Sequence, residues 1–89
     1  MAWAIEFDPR ALAELRALDR SVQRRILRYL EERLAPIGDP RAFGKPLRGP
    51  MAGLWRYRVD DHRLVCRIED GRLTVVLLHV GHRSTVYDR

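Results

Sequence analysis

Eighty-nine residues, 46% of them hydrophobic, suffice for one small domain with a modest core and exclude a multidomain enzyme. The net charge is +5, and every Lys or Arg except Lys45 is an arginine, which favours an anionic partner over a basic or neutral one. A single cysteine, Cys66, excludes an internal disulfide framework; with no apolar stretch long enough for a signal peptide or a membrane span, the expected setting is the cytoplasm.

Trp3 to Phe7 alternates apolar and polar side chains and predicts a first strand. Asp8-Pro9 follows as a helix start, because aspartate caps and proline suits the first helical position. Ala11, Leu15 and Leu18 then share one stripe. Asp19-Arg20-Ser21 interrupts and recaps the pattern, and Val22, Ile26, Leu27, Leu30 and Leu34 continue it as a long amphipathic helix. So short a break predicts an antiparallel helical hairpin. Prolines and glycines punctuate residues 36–53, which read as a loop crossing back to a sheet and carrying Lys45-Pro46-Leu47-Arg48-Gly49.

The remainder reads as a three-stranded antiparallel meander with turns at Asp60-Asp61 and Asp70-Gly71. Two-residue turns put Val59 opposite His62, Arg58 opposite Arg63 and Arg56 opposite Val65. The second turn puts Cys66 opposite Val75 and Leu64 opposite Leu77. One face of the sheet then holds Trp55, Tyr57, Leu64, Cys66, Ile68, Leu73, Val75 and Leu77, an apolar layer for the helices. Cys66 is a core residue on this reading. The other face holds Arg56, Arg58, Arg63, Arg67 and Thr74, with Val65 and Val76 among them. Like charges directly opposed on a sheet cost a few tenths of a kcal/mol (about 0.2–1 for such pairs). A fold that keeps Arg58 across from Arg63 gains something from the arrangement. The expected architecture is α+β: an N-terminal strand, a helical hairpin and a small sheet packed on it, all in one domain spanning residues 1–89.

No glycine-rich phosphate loop precedes a helix, and His62, His79, His82 and Cys66 lack metal-site spacing, so neither metal nor cofactor is expected. What remains is an arginine cluster beside histidine and tyrosine. If the segment Gly81-His82-Arg83-Ser84-Thr85-Val86-Tyr87 curls over the basic face, Arg83 and Tyr87 join Arg56, Arg58 and Arg63. Guanidinium groups can hold a scissile phosphate and stabilise charge building on its oxygens. A tyrosine can stack on a base or handle a proton. These are parts of a metal-independent ribonuclease in which a ribose 2′-hydroxyl attacks the adjacent phosphate. Arginine is a poor general base. His82 and Tyr87 are the local alternatives, and a site with no general base is the third.

The chain resembles the RelE toxins of bacterial type II toxin–antitoxin modules, within the RelE/ParE superfamily. The likeness runs through Phe7-Asp8, Ala11-Leu12 and Leu15, Lys45-Pro46-Leu47-Arg48-Gly49, Trp55-Arg56-Tyr57-Arg58, Arg63-Leu64-Val65, Val80-Gly81-His82-Arg83 and Val86-Tyr87. The resemblance implies an mRNA interferase that enters the ribosomal A site and cleaves mRNA there, without a metal. It implies a cognate RelB-like antitoxin that wraps and neutralises the toxin, and operator DNA bound only by the two together. Arg56 and Arg58 stand where the family often has two lysines. Arg63 matches a phosphate-binding arginine, Arg83 one assigned to the scissile phosphate or leaving group, and Tyr87 a base-stacking tyrosine. Lys45, Arg48 and His82 are the expected RNA-binding residues. Two alternatives accompany this expectation. One is a ParE-like inhibitor of DNA gyrase; the other is a catalytically inactive module that binds antitoxin or operator.

Overall fold

The structure is a computed structural model and describes residues 2–36 and 38–82. Strand β1 spans Ala4–Phe7, helix α1 Pro9–Arg16 and helix α2 Arg20–Tyr29. Strand β2 is Lys45–Pro46, β3 Trp55–Val59, β4 His62–Glu69 and β5 Thr74–His82. The sheet order is β1-β5-β4-β3-β2; β1 runs parallel to β5, and the other described pairings are antiparallel. The α+β class expected from the sequence holds. The described part of the segment from 36 to 53 is more ordered than a plain loop, with 3₁₀ turns at Pro40–Phe43 and Gly49–Met51 flanking the edge strand β2. A strand of two residues is too short to show alternation, and Pro46 suits an edge because it has no N–H to donate.

Local chemistry accounts for the helices. The Asp8 carboxylate accepts from the Arg10 backbone N–H at 2.9 Å, and Pro9 occupies the first turn. Helix α1 buries Ala11 and Leu15. Across the break, Gln23 Nε2 donates to the Leu18 carbonyl at 2.8 Å and to that of Arg16 at 3.3 Å, which satisfies groups a helix end leaves exposed. Asp19 makes no side-chain cap. After Tyr29 the helix continues as one wide π turn over Leu30–Leu34, closed by the Ala35 N–H on the Leu30 carbonyl at 2.9 Å. Ile26, Leu30 and Leu34 recur every four residues and would drift around a regular helix; the widened turn swings Leu34 back, and all three are fully buried.

The hairpin β3–β4 has the expected register, with Val59 opposite His62, Arg58 opposite Arg63 and Arg56 opposite Val65. The second hairpin differs. Its connection is a four-residue turn over 70–73, with Leu73 in left-handed conformation (φ 48°), so Glu69 pairs with Thr74 and Cys66 with Leu77. The expected pairing of Cys66 with Val75 is therefore displaced by two residues. A shift of two preserves the faces, and Cys66, Leu77, Ile68 and Val75 still pack towards the helices. Leu73 leaves the apolar layer and is 36% exposed in the turn. Between Val65 and Cys66 the register slips again: Val65 faces His79 and Cys66 faces Leu77, which leaves Leu78 as a bulge. Leu64 accordingly meets Val80, not Leu77.

Beyond Leu77, strand β5 has outrun β1, and α1 covers the exposed edge. The Glu14 carboxylate accepts from the Val80 N–H at 2.8 Å and lies 3.7 Å from His79 Nδ1. Glu14→Ala leaves that N–H unpartnered and costs about 1–3 kcal/mol. Glu14→Gln keeps an acceptor and restores most of the stability; denaturant titration of the pair checks it, and an equal loss in both variants would assign the effect to charge instead.

At the other end of the sheet, acids neutralise bases. Arg41 is bound by Asp70 at 2.7 Å, and Arg67 by Glu69 at 2.8 Å; Arg72 bridges Glu69 and Glu6. Hydrogen bonding to Arg41 holds Asp70 below its ordinary 3.8, and hydrogen bonding to Arg67 and Arg72 holds Glu69 below its ordinary 4.5. Their stabilisation is present above those ordinary values and is lost as pH falls through the depressed ones. Thermal melts from neutral to strongly acid pH therefore show a decline below about pH 4, and Asp70→Asn flattens part of it.

Candidate active site

Strand alternation and register put Lys45, Arg56, Arg58 and Arg63 on the sheet face turned away from the helices. Lys45 pairs with Arg56, Arg56 with Val65, and Arg58 with Arg63. Together with Phe43 and Tyr57 these four cations line an open cleft of about 160 Å³. Among the described residues that line it there is no aspartate or glutamate. Arg67, expected in the same cluster, lies further along β4 and is engaged by Glu69. The basic face thus has Arg67 held by Glu69 towards one end and the cleft with Lys45, Arg56, Arg58 and Arg63 towards the other.

Three features hold the cleft end in place. The Asp60-Asp61 turn is tight, with Asp60 at φ 53°, a conformation aspartate tolerates better than most residues. The Asp60 carboxylate accepts from Arg25 Nε at 2.6 Å, so α2 anchors the turn between Arg58 and Arg63. Arg58 Nε donates to the Asp60 carbonyl at 3.2 Å, which draws its guanidinium towards the turn. Beneath, Tyr57 is 1% exposed and its hydroxyl donates to the Pro40 carbonyl at 2.8 Å. Burial pushes that phenol well above its ordinary value, so Tyr57 keeps its proton and serves as a structural post, not as a proton-transfer group. Cys66 is likewise fully buried with its thiol pushed up, as a core residue.

The other expected residues fall elsewhere. Arg48 is exposed at the start of the Gly49–Met51 turn and does not line the cleft. His82 pairs with His62, their rings 5.9 Å apart and edge to face. The Leu78 bulge shifts the alternation, so His82 shares its face with Val80 and His62, not with Arg63. Arg83 and Tyr87 lie outside the described residues. Phe43 is the residue that sequence reasoning missed. It is 47% exposed, it lines the cleft, and its ring lies 5.5 Å from the Arg33 guanidinium. The one signal was an aromatic among prolines and glycines immediately before Gly44-Lys45. Among the described residues, no cluster of histidine, cysteine and carboxylate could hold a metal, and no helix is long and apolar enough to cross a membrane.

A small mixed sheet with helices on one face is a fold shared with chains of solved bacterial toxin–antitoxin complexes. Residues 5–87 match the family model described as the ParE toxin of type II toxin–antitoxin systems, and the chain belongs to this toxin family. Within it, the similarity is to RelE-type members. The chain is 33% identical to the toxin RelG of Mycobacterium tuberculosis over the full length of both. It is 36% identical to the mRNA interferase toxin RelE of Escherichia coli, covering 98% of this chain and 92% of that one. Among solved structures, a chain of the toxin–antitoxin complex RelBE2 from Mycobacterium tuberculosis superposes with a TM-score of 0.86 at 31% identity, covering 94% of each chain.

Proposed function

We propose that this toxin is an mRNA interferase: it cleaves mRNA in the ribosomal A site and is held inactive by a cognate RelB-like antitoxin. The observation that carries the reading is the convergence of Lys45, Arg56, Arg58 and Arg63 on one cleft. Four cations on one surface suit a phosphodiester. In the reaction the ribose 2′-oxygen forms a bond to phosphorus and the bond from phosphorus to the 5′-oxygen breaks. The products are a 2′,3′-cyclic phosphate and a 5′-hydroxyl; the 2′-hydroxyl loses a proton and the leaving oxygen gains one. Arg56, Arg58 and Arg63 clasp the phosphate and stabilise the extra negative charge on its oxygens. Being arginines they stay protonated, so they supply charge and orientation, not proton abstraction. Arg83 and Tyr87 belong to the proposed site by their match to the family motif, Arg83 at the scissile phosphate and Tyr87 on the base. Lys45 adds a backbone phosphate contact, with Arg48 and His82 as outer RNA contacts. The place of action is the cytoplasm, where ribosomes translate.

Mapping by primer extension after a pulse of expression tests the reading. Codon-phased cuts in translated mRNA are expected, together with unchanged supercoiling by purified gyrase. Continued translation with no phased cuts would refute it. Inhibited supercoiling would support the gyrase alternative, which the similarity to RelE-type relatives does not favour. Co-expression with the neighbouring reading frame is expected to yield a co-purifying antitoxin that abolishes toxicity.

A further inference from the structure

We propose that Phe43 is the stacking platform for an RNA base beside the scissile linkage, and so sets the nucleotide preference on that side of the cut. The inference rests on the ribonuclease reading and adds the residue that reads the base.

Four observations point to it. Phe43 and Leu73 are the exposed large hydrophobic residues among those described, and Leu73 is accounted for by its turn. Leaving about half of a phenylalanine in water forgoes roughly half of the ~1.5–3 kcal/mol that full burial gives, so such a ring at a functional surface wants an explanation. Second, Phe43 lines the same cleft as the four cations. A positively charged groove with an aromatic face at its side is the arrangement that holds single-stranded RNA, the cations on phosphate and the ring on a base.

Third, the ring has a firm base. Asp39 accepts from the Arg41 N–H at 3.1 Å to start the turn, and Gly44 donates to the Arg41 carbonyl at 3.2 Å to end it. Gly44 then lies so close to Tyr57 that a Cβ there would stand 2.8 Å from the ring. Fourth, the Arg33 guanidinium covers one face of the Phe43 ring at 5.5 Å. The opposite face is the one a base takes, giving a stack of guanidinium, ring and base. The ring discriminates by stacking strength, so purines are preferred over pyrimidines at that position.

The test uses ribosomes programmed with mRNA of defined A-site codons and the purified toxin. Phe43→Leu keeps apolar bulk and removes the π face; it lowers kcat/KM about 10-fold, as expected for one lost base–ring contact, and flattens the purine preference. Phe43→Trp retains the rate and the preference. For a direct readout, 2-aminopurine is placed on either side of the linkage in an mRNA with a 2′-deoxyribose at the attacking position. Phe43→Leu relieves the quenching seen with wild type on one side of the linkage and leaves it unchanged on the side where Tyr87 takes the base. All three proteins melt together, since the ring is exposed. Unchanged rate, preference and quenching in Phe43→Leu would overturn the inference while an active wild type kept the ribonuclease reading. So would a variant that cleaves normally but no longer binds antitoxin, which would make Phe43 a protein contact. A wild type that cleaves no ribosome-bound mRNA would bring down both.

Discussion

Arg63→Ala abolishes most of the cleavage, by about 100- to 1,000-fold, and leaves the fold intact. Arg63 sits on β4, with Arg58 on one neighbouring strand and Gly81 on the other. Gly81 brings no side chain to this position, and Arg63 lines the cleft in which a phosphate would sit. Losing a positioned donor to an oxyanion costs about 2.7–4 kcal/mol of transition-state stabilisation, which sets the expected factor. Stability moves little, because the truncation also relieves a directly opposed pair of like charges worth a few tenths of a kcal/mol (about 0.2–1). Arg63→Lys keeps the charge but loses the two-pronged fork, and falls between the two. Single-turnover cleavage of ribosome-bound mRNA, with a thermal melt of each variant, checks the prediction. An Arg63→Ala protein that melts and cleaves like wild type would remove this residue from the site.

Gly44→Ala damages stability and activity at once. The backbone there is extended (φ −108°, ψ 176°), which any residue adopts, so the constraint is space and not conformation. An added Cβ meets Tyr57 Cε1 at 2.8 Å and Cζ at 2.9 Å, and the Arg56 carbonyl at 3.2 Å. Tyr57 cannot yield cheaply, since it is buried and its hydroxyl is bound to the Pro40 carbonyl. Overpacking of this kind costs about 1–3 kcal/mol, or a fall in Tm of roughly 5–20 °C for a domain of this size. The same displacement moves Lys45 away from Arg56 and takes Phe43 with it, so cleavage drops even where the protein stays folded. Tyr57→Phe in the Gly44→Ala background does not rescue, because the clash is with ring carbons. Melting curves of the single and double variants decide, and recovery in the double variant would locate the conflict at the hydroxyl.

The central hairpin was legible because two signals agreed: strict alternation in Trp55-Arg56-Tyr57-Arg58-Val59 and a two-residue aspartate turn fix the register of β3 and β4. The second hairpin misled because Asp70-Gly71 has the composition of a tight turn, whereas the chain spends Arg72 and Leu73 on the connection as well. The faces survived because the error was two residues, an even number. The bulge at Leu78 was invisible, since a strand that reads Thr-Val-Val-Leu-Leu-His-Val carries no mark of where one residue drops out of pairing. Its effect is to turn His82 to the helix side, away from the arginines with which plain alternation groups it. Phe43 went unnoticed for a different reason: a single aromatic in a loop has no period, and only the folded edge brings it beside Arg56 and Arg63. The ion pairs around Arg67 were equally hidden, because nothing in the sequence shows that Glu69, Arg72 and Glu6 assemble beside it.

The parallel pairing of β1 with β5, Ala4 with Thr74 through Phe7 with Leu77, joins segments some 70 positions apart in the chain. During synthesis the β3–β4 and β4–β5 hairpins can close from neighbouring residues, but the first strand has nothing to pair with until the last has emerged. The nascent protein therefore carries its first strand unpaired while some 70 further residues are made. A poison of this design reaches its finished shape only once residues 74–77 have left the ribosome that makes them.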